Sequence, residues 1–199
     1  MSKPFAESCE QNKDVILDVI KPVLQHARRV LEIGSGTGQH AIYFAMAMKH
    51  LEWFTSDREE HHAGMRLWLN EAACNNIHPP FALDVNRRDA WPQETFDAVF
   101  TANTAHIMGW DAVQAMFAGV GRILEKQGHF LLYGPFNYNH RYTSDSNAQF
   151  DVWLKQRDPC SGIRHFEDIQ QLAEQAGMVL DTDYPMPANN RILSWQKVS

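Results

Sequence analysis

VLEIGSGTGQHAIYFA, residues 30–45, is the stretch that decides the fold. Val30, Leu31 and Ile33 form a short apolar run with the composition of a buried strand. GSGTG then brings three glycines together, which reads as a tight turn. Between residues 39 and 49 the apolar positions Ala41, Ile42, Phe44, Ala45 and Met48 resume at helical spacing. Strand, glycine turn and helix in that order put a loop at the carboxyl end of a strand, where open α/β sheets hold ligands. Which ligand depends on the rest of the chain.

Upstream, apolar positions at Val15, Ile16, Val19, Ile20, Val23 and Leu24 predict a helix over 12–26, with Pro22 expected to kink or divide it. RRVLEI is the first strand. Downstream, LEWFTSD predicts a second strand, residues 62–75 a helix, PPFALDV a third strand ending at Asp84, and TFDAVFTAN a fourth. GWDAVQAMFAGVGRILEKQG reads as a long helix closed by Gly128, and HFLLYGPF as the fifth strand. A polar, aromatic-studded insertion with a helical middle covers 137–161. HFEDIQQLAEQAG is a helix ending at Gly177, followed by strands MVLDTDYPM and ILSWQKV with no helix between them.

Strands alternating with helices predict a three-layer α/β/α sandwich around a mostly parallel, seven-stranded sheet. The closing hairpin-like pair predicts an antiparallel last strand. At 199 residues, with no Gly-, Pro- or Ser-rich linker and no repeat, the chain reads as one domain over 1–199.

A hydrophobic fraction of 44% and a charged fraction of 21% are those of an ordinary globular protein. The net charge of -6, with basic residues scattered, argues against a nucleic-acid partner, which needs a basic footprint. Cys9, Cys74 and Cys160 are odd in number and far apart, so neither a disulfide framework nor a metal site is expected. MSKPFAESCEQNK lacks the apolar core of a signal peptide, and no run of eighteen apolar residues suits a membrane span. A cytoplasmic location is the expectation. A homodimer is compatible with the sequence, although no apolar stripe marks an interface.

The glycine turn is not a phosphate loop, because Gln39, His40 and Ala41 stand where a Lys-Ser or Lys-Thr pair is needed. A dinucleotide fingerprint, G-x-G-x-x-G or its alanine variant, counted from Gly34 puts Gln39 at the sixth position, where helix–strand packing wants a small residue. An NAD-dependent oxidoreductase is therefore disfavoured.

Glu32-Ile33-Gly34-Ser35-Gly36-Thr37-Gly38 resembles the first motif of the class I methyltransferases that use S-adenosylmethionine. That resemblance implies a Rossmann-like methyltransferase fold, with S-adenosylmethionine as cofactor. Glycines there let the backbone pass close to the donor's amino-acid end and ribose. The resemblance further implies that Glu32 reaches the donor's ammonium directly or through water. It puts Asp57 on the ribose hydroxyls, Asp84 on the adenine amino group, the Val85 N–H on the ring, and Ala102 and Asn103 beneath the donor. Gly34, Ser35, Gly36, Gly38 and His40 complete the expected donor site. Over nearly the whole chain, PFAESCEQNKDVIL, FTANTAHIMGW, LYGPFNYNHRYTSDSNAQFDVWLKQRDP, GIRHFEDI and MPANNRILSW are similar to the DUF938 family, placed among methyltransferase-like proteins. One departure is Cys9-Glu10, where relatives are expected to read closer to AAERN.

For chemistry, His106 is the best-placed general base, and a base at that position favours an oxygen acceptor. Capping the next helix or hydrogen-bonding within the core is its other reading. Trp110, Tyr133, Phe136, Asn137, Tyr138, Asn139 and the turn Asn189-Asn190-Arg191 are further pocket candidates. The 137–161 insertion is either a lid or surface packing. A small-molecule acceptor is expected. A donor-binding regulatory or scaffold protein without turnover, and a protein methyltransferase, remain open.

Overall fold

Strand alternation around residue 30 organises the whole molecule. In the computed structural model, which describes residues 3–72 and 74–198, β1 (Arg29–Ile33) sits between β2 (Glu52–Asp57) and β4 (Phe96–Ala102), parallel to both. Successive side chains of a strand point to opposite faces. Val30, Ala98, Phe100, Leu131 and Tyr133 therefore enter one core, and Leu31, Val99, Phe130 and Leu132 the other. Helices α1 (Glu7–Val23) and α2 (Gln39–Ala47) cover the first face. On the opposite face lie α4 (Trp110–Ile123) and α6 (Phe166–Gln175), while α3 (Glu59–Glu71) packs beside β3 (Ile77–Ala82).

The sheet order is β3-β2-β1-β4-β5-β8-β7, with β5 at Leu124–Asn137, β7 at Met178–Met186 and β8 at Asn190–Lys197. β8 runs antiparallel to both neighbours, as the missing connecting helix requires. The chain order reverses between β1 and β4, and ligands of open α/β sheets sit outside the strand ends at such a reversal. Pro79 and Pro80 are tolerated because β3 is an edge strand.

Several boundaries differ from the sequence expectations. α1 begins at Glu7 rather than 12, because Gln39 Oε1 accepts the Ala6 N–H at 2.7 Å, a cap supplied from another helix. Pro22 falls in the last turn, so the helix stops at Val23 instead of kinking. α3 starts three residues earlier than expected and ends at Glu71; position 73 lies outside the described residues. Asp84 lies two residues beyond the end of β3, in the following loop. α4 stops at Ile123 and Gly128 is part of β5, where a Cβ would lie 2.7 Å from the Asp97 carbonyl oxygen. An additional two-residue strand, β6 (Arg164–His165), pairs with the end of β5 and makes eight. The helical middle of the insertion is α5 (Asp145–Arg157), N-capped by Ser144 Oγ.

Candidate functional site

The carboxyl ends of β1, β2 and β4 and the loop after β3 enclose a cavity of about 670 Å³. Gly34, Gly36, Asp57, Asp84, Val85, Ala102 and Asn103 line it, so seven of the eleven expected donor residues come together. Gly34 and Gly36 have φ of 71° and 56°, the left-handed region that favours glycine. A Cβ at Gly34 would meet Thr104 Cγ2 at 2.6 Å, whereas one at Gly36 meets nothing within 4 Å. The space facing Gly36 is room for a ligand rather than for packing.

Asp57 ends β2 with its carboxylate turned to the glycine loop. Its Oδ2 accepts the Gly36 N–H and its Oδ1 the Arg58 N–H, both at 2.7 Å. Each carboxylate oxygen has a second acceptor position, so two hydroxyls can still be received. Asp84 uses Oδ1 to accept the Asn86 N–H at 3.0 Å, which turns its loop and leaves Oδ2 for an N–H donor. Val85 gives its carbonyl to Trp91 Nε1 at 3.1 Å, while its N–H has no partner among the described residues. Adjacent acceptor and donor suit the edge of an adenine ring. This donor set fits the nucleoside half of S-adenosylmethionine. Asn103, at the end of β4, holds φ 59°, a strained value that Asn tolerates, and its N–H donates to the Tyr133 carbonyl at 3.0 Å.

Glu32, Ser35, Gly38 and His40 do not line this cavity. Glu32 shares Val30's side of β1 and is buried beneath α1 and α2, where its Oε2 accepts from Trp53 Nε1 at 3.1 Å. Burial pushes its carboxyl up to about 7, against the stabilising hydrogen bonds from Trp53 and Ser35. Ser35 ties the loop to β2, since its Oγ accepts the Ser56 N–H at 3.3 Å. Gly38, at φ 85°, starts α2, and a Cβ there would lie 2.9 Å from Met65 Cγ. His40 Nε2 donates to Asn12 Oδ1 at 2.7 Å and its ring stacks on Phe44, joining α2 to α1. Burial lowers its pKa to about 4.

Gln39 closes the start of α2. It accepts from Ala6 N–H and Thr37 Oγ1 and donates to Glu10 Oε1 at 2.8 Å. The first turn of that helix is thus covered by the chain's own segment and faces the carboxylate of Glu10.

His106 lines a second cavity, of about 440 Å³, which shares Asn103 with the first. Its walls come from α1 (Ser8, Gln11, Asn12, Val15), the ends of β4 and β5, α5 (Ser146, Asn147, Phe150) and the turn at 187–190. The His106 ring is buried and meets Phe150 edge-to-face at 5.4 Å. Desolvation, reinforced by the positive Arg164, lowers its pKa to about 4, so the imidazole is neutral near pH 7.

No local motif announces how this loop is held. Arg164 Nε donates to the Ala105 carbonyl at 2.9 Å, and its Nη2 to the carbonyls of Cys160, at 3.0 Å, and Met108. Ser161 Oγ donates to the Ile107 carbonyl at 3.0 Å, and the Gly162 N–H to that of His106 at 2.9 Å. The 137–161 insertion contributes to both cavities, through Asn147 and Phe150 to the smaller and Asp158 to the larger. Tyr133 and Asn190 reach the smaller cavity. Among the other candidates, Phe136 is core, Tyr138 and Arg191 both bind Asp183, the Asn139 N–H goes to Glu167, and Asn189 gives its carbonyl to Asn147. Trp110 and Asn137 line neither cavity. His61, which does line the larger one, was legible only as a residue one helical turn from Asp57.

Comparison with known proteins adds two findings. The model of the family described as "Protein of unknown function (DUF938)" matches residues 3–197. Among solved structures, an O-methyltransferase family protein from Burkholderia thailandensis superposes with a TM-score of 0.86 at 14% identity, covering 96% of this chain and 56% of that one. The S-adenosylmethionine-dependent methyltransferase SibL, in its apo form, gives 0.81 at 20% identity, with 96% and 56% coverage. Human N-acetylserotonin methyltransferase in complex with SAM gives 0.80 at 14% identity, with 97% and 53% coverage. The chain spans about half the length of these structures, and the likeness shows a shared Rossmann-like methyltransferase fold.

Proposed function

The chain belongs to the DUF938 family, and on that premise we propose that it is an S-adenosylmethionine-dependent methyltransferase acting on a small organic molecule at oxygen. The observation that carries this proposal is the polar pattern of the larger cavity. Asp57 has free acceptor positions for a ribose diol, and Asp84 Oδ2 and the Val85 N–H stand ready for an adenine edge. When bound there, S-adenosylmethionine supplies an electrophilic methyl, its sulfonium becoming a thioether. The chain's own part is to hold the acceptor in line with the donor and limit the water around it.

His106 stands in the adjoining cavity, neutral, with a nitrogen able to accept a hydroxyl proton as the acceptor reacts. Its lowered pKa makes it a weak base, which suits an acidic hydroxyl better than an alkyl alcohol. Asn103 borders both cavities and marks where donor and acceptor would meet.

The dinucleotide alternative fares poorly on a specific ground. A pyrophosphate needs the exposed N-terminus of the helix after the glycine turn. Here Gln39 and the segment from Ala6 to Glu10 cover it, and Glu10 would repel the phosphates. A protein acceptor calls for an open acidic groove, whereas the His106 cavity is walled by α1 and α5 and has no acid among its described lining residues. A regulatory protein without turnover needs only the donor cavity, so substitution of His106 would leave its role intact.

The test is transfer of labelled methyl from S-adenosylmethionine into a cell extract of the source organism, separated by size. Label is expected in an organic-extractable small molecule, and His106→Ala should lower its rate about a hundredfold. Label appearing only in protein, or equally fast transfer by His106→Ala, would contradict the proposal.

A further inference from the structure

None of the smaller cavity's described lining residues is charged, whereas those of the larger include Asp57, Arg58, Asp84 and Asp158. The chain as a whole is 21% charged. Five of the lining residues, Gln11, Asn12, Asn103, Asn147 and Asn190, are amides instead. The charged side chains near it have hydrogen-bond partners of their own, although Arg164 keeps a positive field at His106. Asp151 accepts from Lys155 Nζ at 2.6 Å, Tyr142 Oη at 2.7 Å and the Ile163 N–H at 2.7 Å. Asp183 is held by Arg191 and Tyr138, and Arg164 is spent on three carbonyls.

The polar atoms left over have a fixed sense. Asn147 Nδ2 donates to Thr143 Oγ1 at 2.9 Å and to the Asn189 carbonyl at 3.2 Å, so both its hydrogens are used and Oδ1 remains as an acceptor. Asn12 accepts from His40 on Oδ1, which leaves its Nδ2 for the Tyr133 hydroxyl within its reach. The Tyr133 hydrogen is then free to donate. Phe150, Val15, Pro135 and Pro187 complete apolar walls between these groups.

We propose that this cavity is the acceptor subsite and that it selects an uncharged, hydroxylated, ring-sized molecule while rejecting carboxylates, phosphates and ammonium compounds. A hydroxyl on the ligand donates to His106 or Asn147 Oδ1, and an acceptor on the ligand receives the Tyr133 hydrogen. An ion entering the cavity sheds part of its water and meets no charged side chain among the described lining residues, so that loss is not offset there. The volume is in the range of small-molecule sites. This inference rests on the methyltransferase proposal for its name, but the charge selection stands on the cavity alone.

Three matched probes test it at pH 7.5: 4-hydroxybenzamide, 4-hydroxybenzoate and tyramine. Binding to the full chain is read by ligand-observed NMR, with and without saturating S-adenosylhomocysteine. The neutral probe is expected to bind at least about a hundredfold more tightly than either charged one. Ser8→Lys, at an exposed lining position, should then narrow the carboxylate's deficit at least tenfold and leave tyramine excluded. Equal or tighter binding of a charged probe overturns the proposal, as does binding of none, or a carboxylate deficit that Ser8→Lys leaves unchanged. Separate titration of S-adenosylhomocysteine distinguishes the two ideas: its failure to bind would count against the methyltransferase proposal, while the order of the probes still reports on the cavity.

Discussion

Glu32 is placed by strand alternation, two residues after Val30 on the same side of β1, and so is carried into a core that holds Trp53, Phe44 and Phe100. Its carboxyl binds a proton up to about pH 7 in the folded chain, against 4.5 as an ordinary glutamate. Between those values the native state holds the extra proton, so this contribution to stability is complete below 4.5 and is lost as pH rises through 7. His40 and His106 act in the opposite sense: depressed to about 4, they add stability above 6.5 that fades as pH falls toward 4. Glu32→Gln keeps an acceptor for Trp53 and removes the first effect. It should match the parent at pH 4.5 and exceed it by about 3 kcal/mol at pH 8, as measured by urea unfolding. A gap that is the same at both pH values would contradict this account of Glu32. At this scale the glycines, Asp57 and Asp84 were legible through the motif resemblance and the strand ends they follow. The inward positions of Glu32, Ser35 and His40 were not, since they depend on which face of β1 and α2 meets α1.

The elements around the site are held by single side chains that reach between them. Asp151 fastens α5 to the segment leading into β6, and Arg164 fastens that segment to the loop carrying His106. Asp151→Ala strips three donors of their partner and leaves the buried Ile163 N–H unsatisfied. The expected cost is about 3 kcal/mol, with hydrogen-exchange protection lost over 145–163 and donor affinity held within about twofold. Loss of protection spread evenly through the sheet would refute α5 as a separately fastened cover. Element types were readable from hydrophobic period alone, including the unhelixed turn before the antiparallel β8. Element ends were less so: the start of α1 depends on Gln39 from another helix, and β5 reaches back to Leu124 through pairing with β4 that no local pattern announces. β6 consists of two residues and exists only because β5 offers it an edge.

For the molecule as a whole, the sheet order brings five strand ends and loops into one cleft, and the two cavities within it meet at Asn103. The larger is polar and acidic where a nucleoside would sit; the smaller is uncharged and contains His106. That division was beyond the sequence, because α1, α5 and the 187–190 turn form the second wall and lie far apart in the chain. What was legible was the glycine turn followed by acids after the second and third strands, and these line the larger cavity. Calorimetric titration of the full chain with S-adenosylmethionine, S-adenosylhomocysteine and NAD, repeated with Asp57→Ala, tests the central claim most directly. Saturable micromolar binding of the first two, abolished in Asp57→Ala, is the predicted result. Binding of NAD alone, or undiminished affinity in Asp57→Ala, would contradict it.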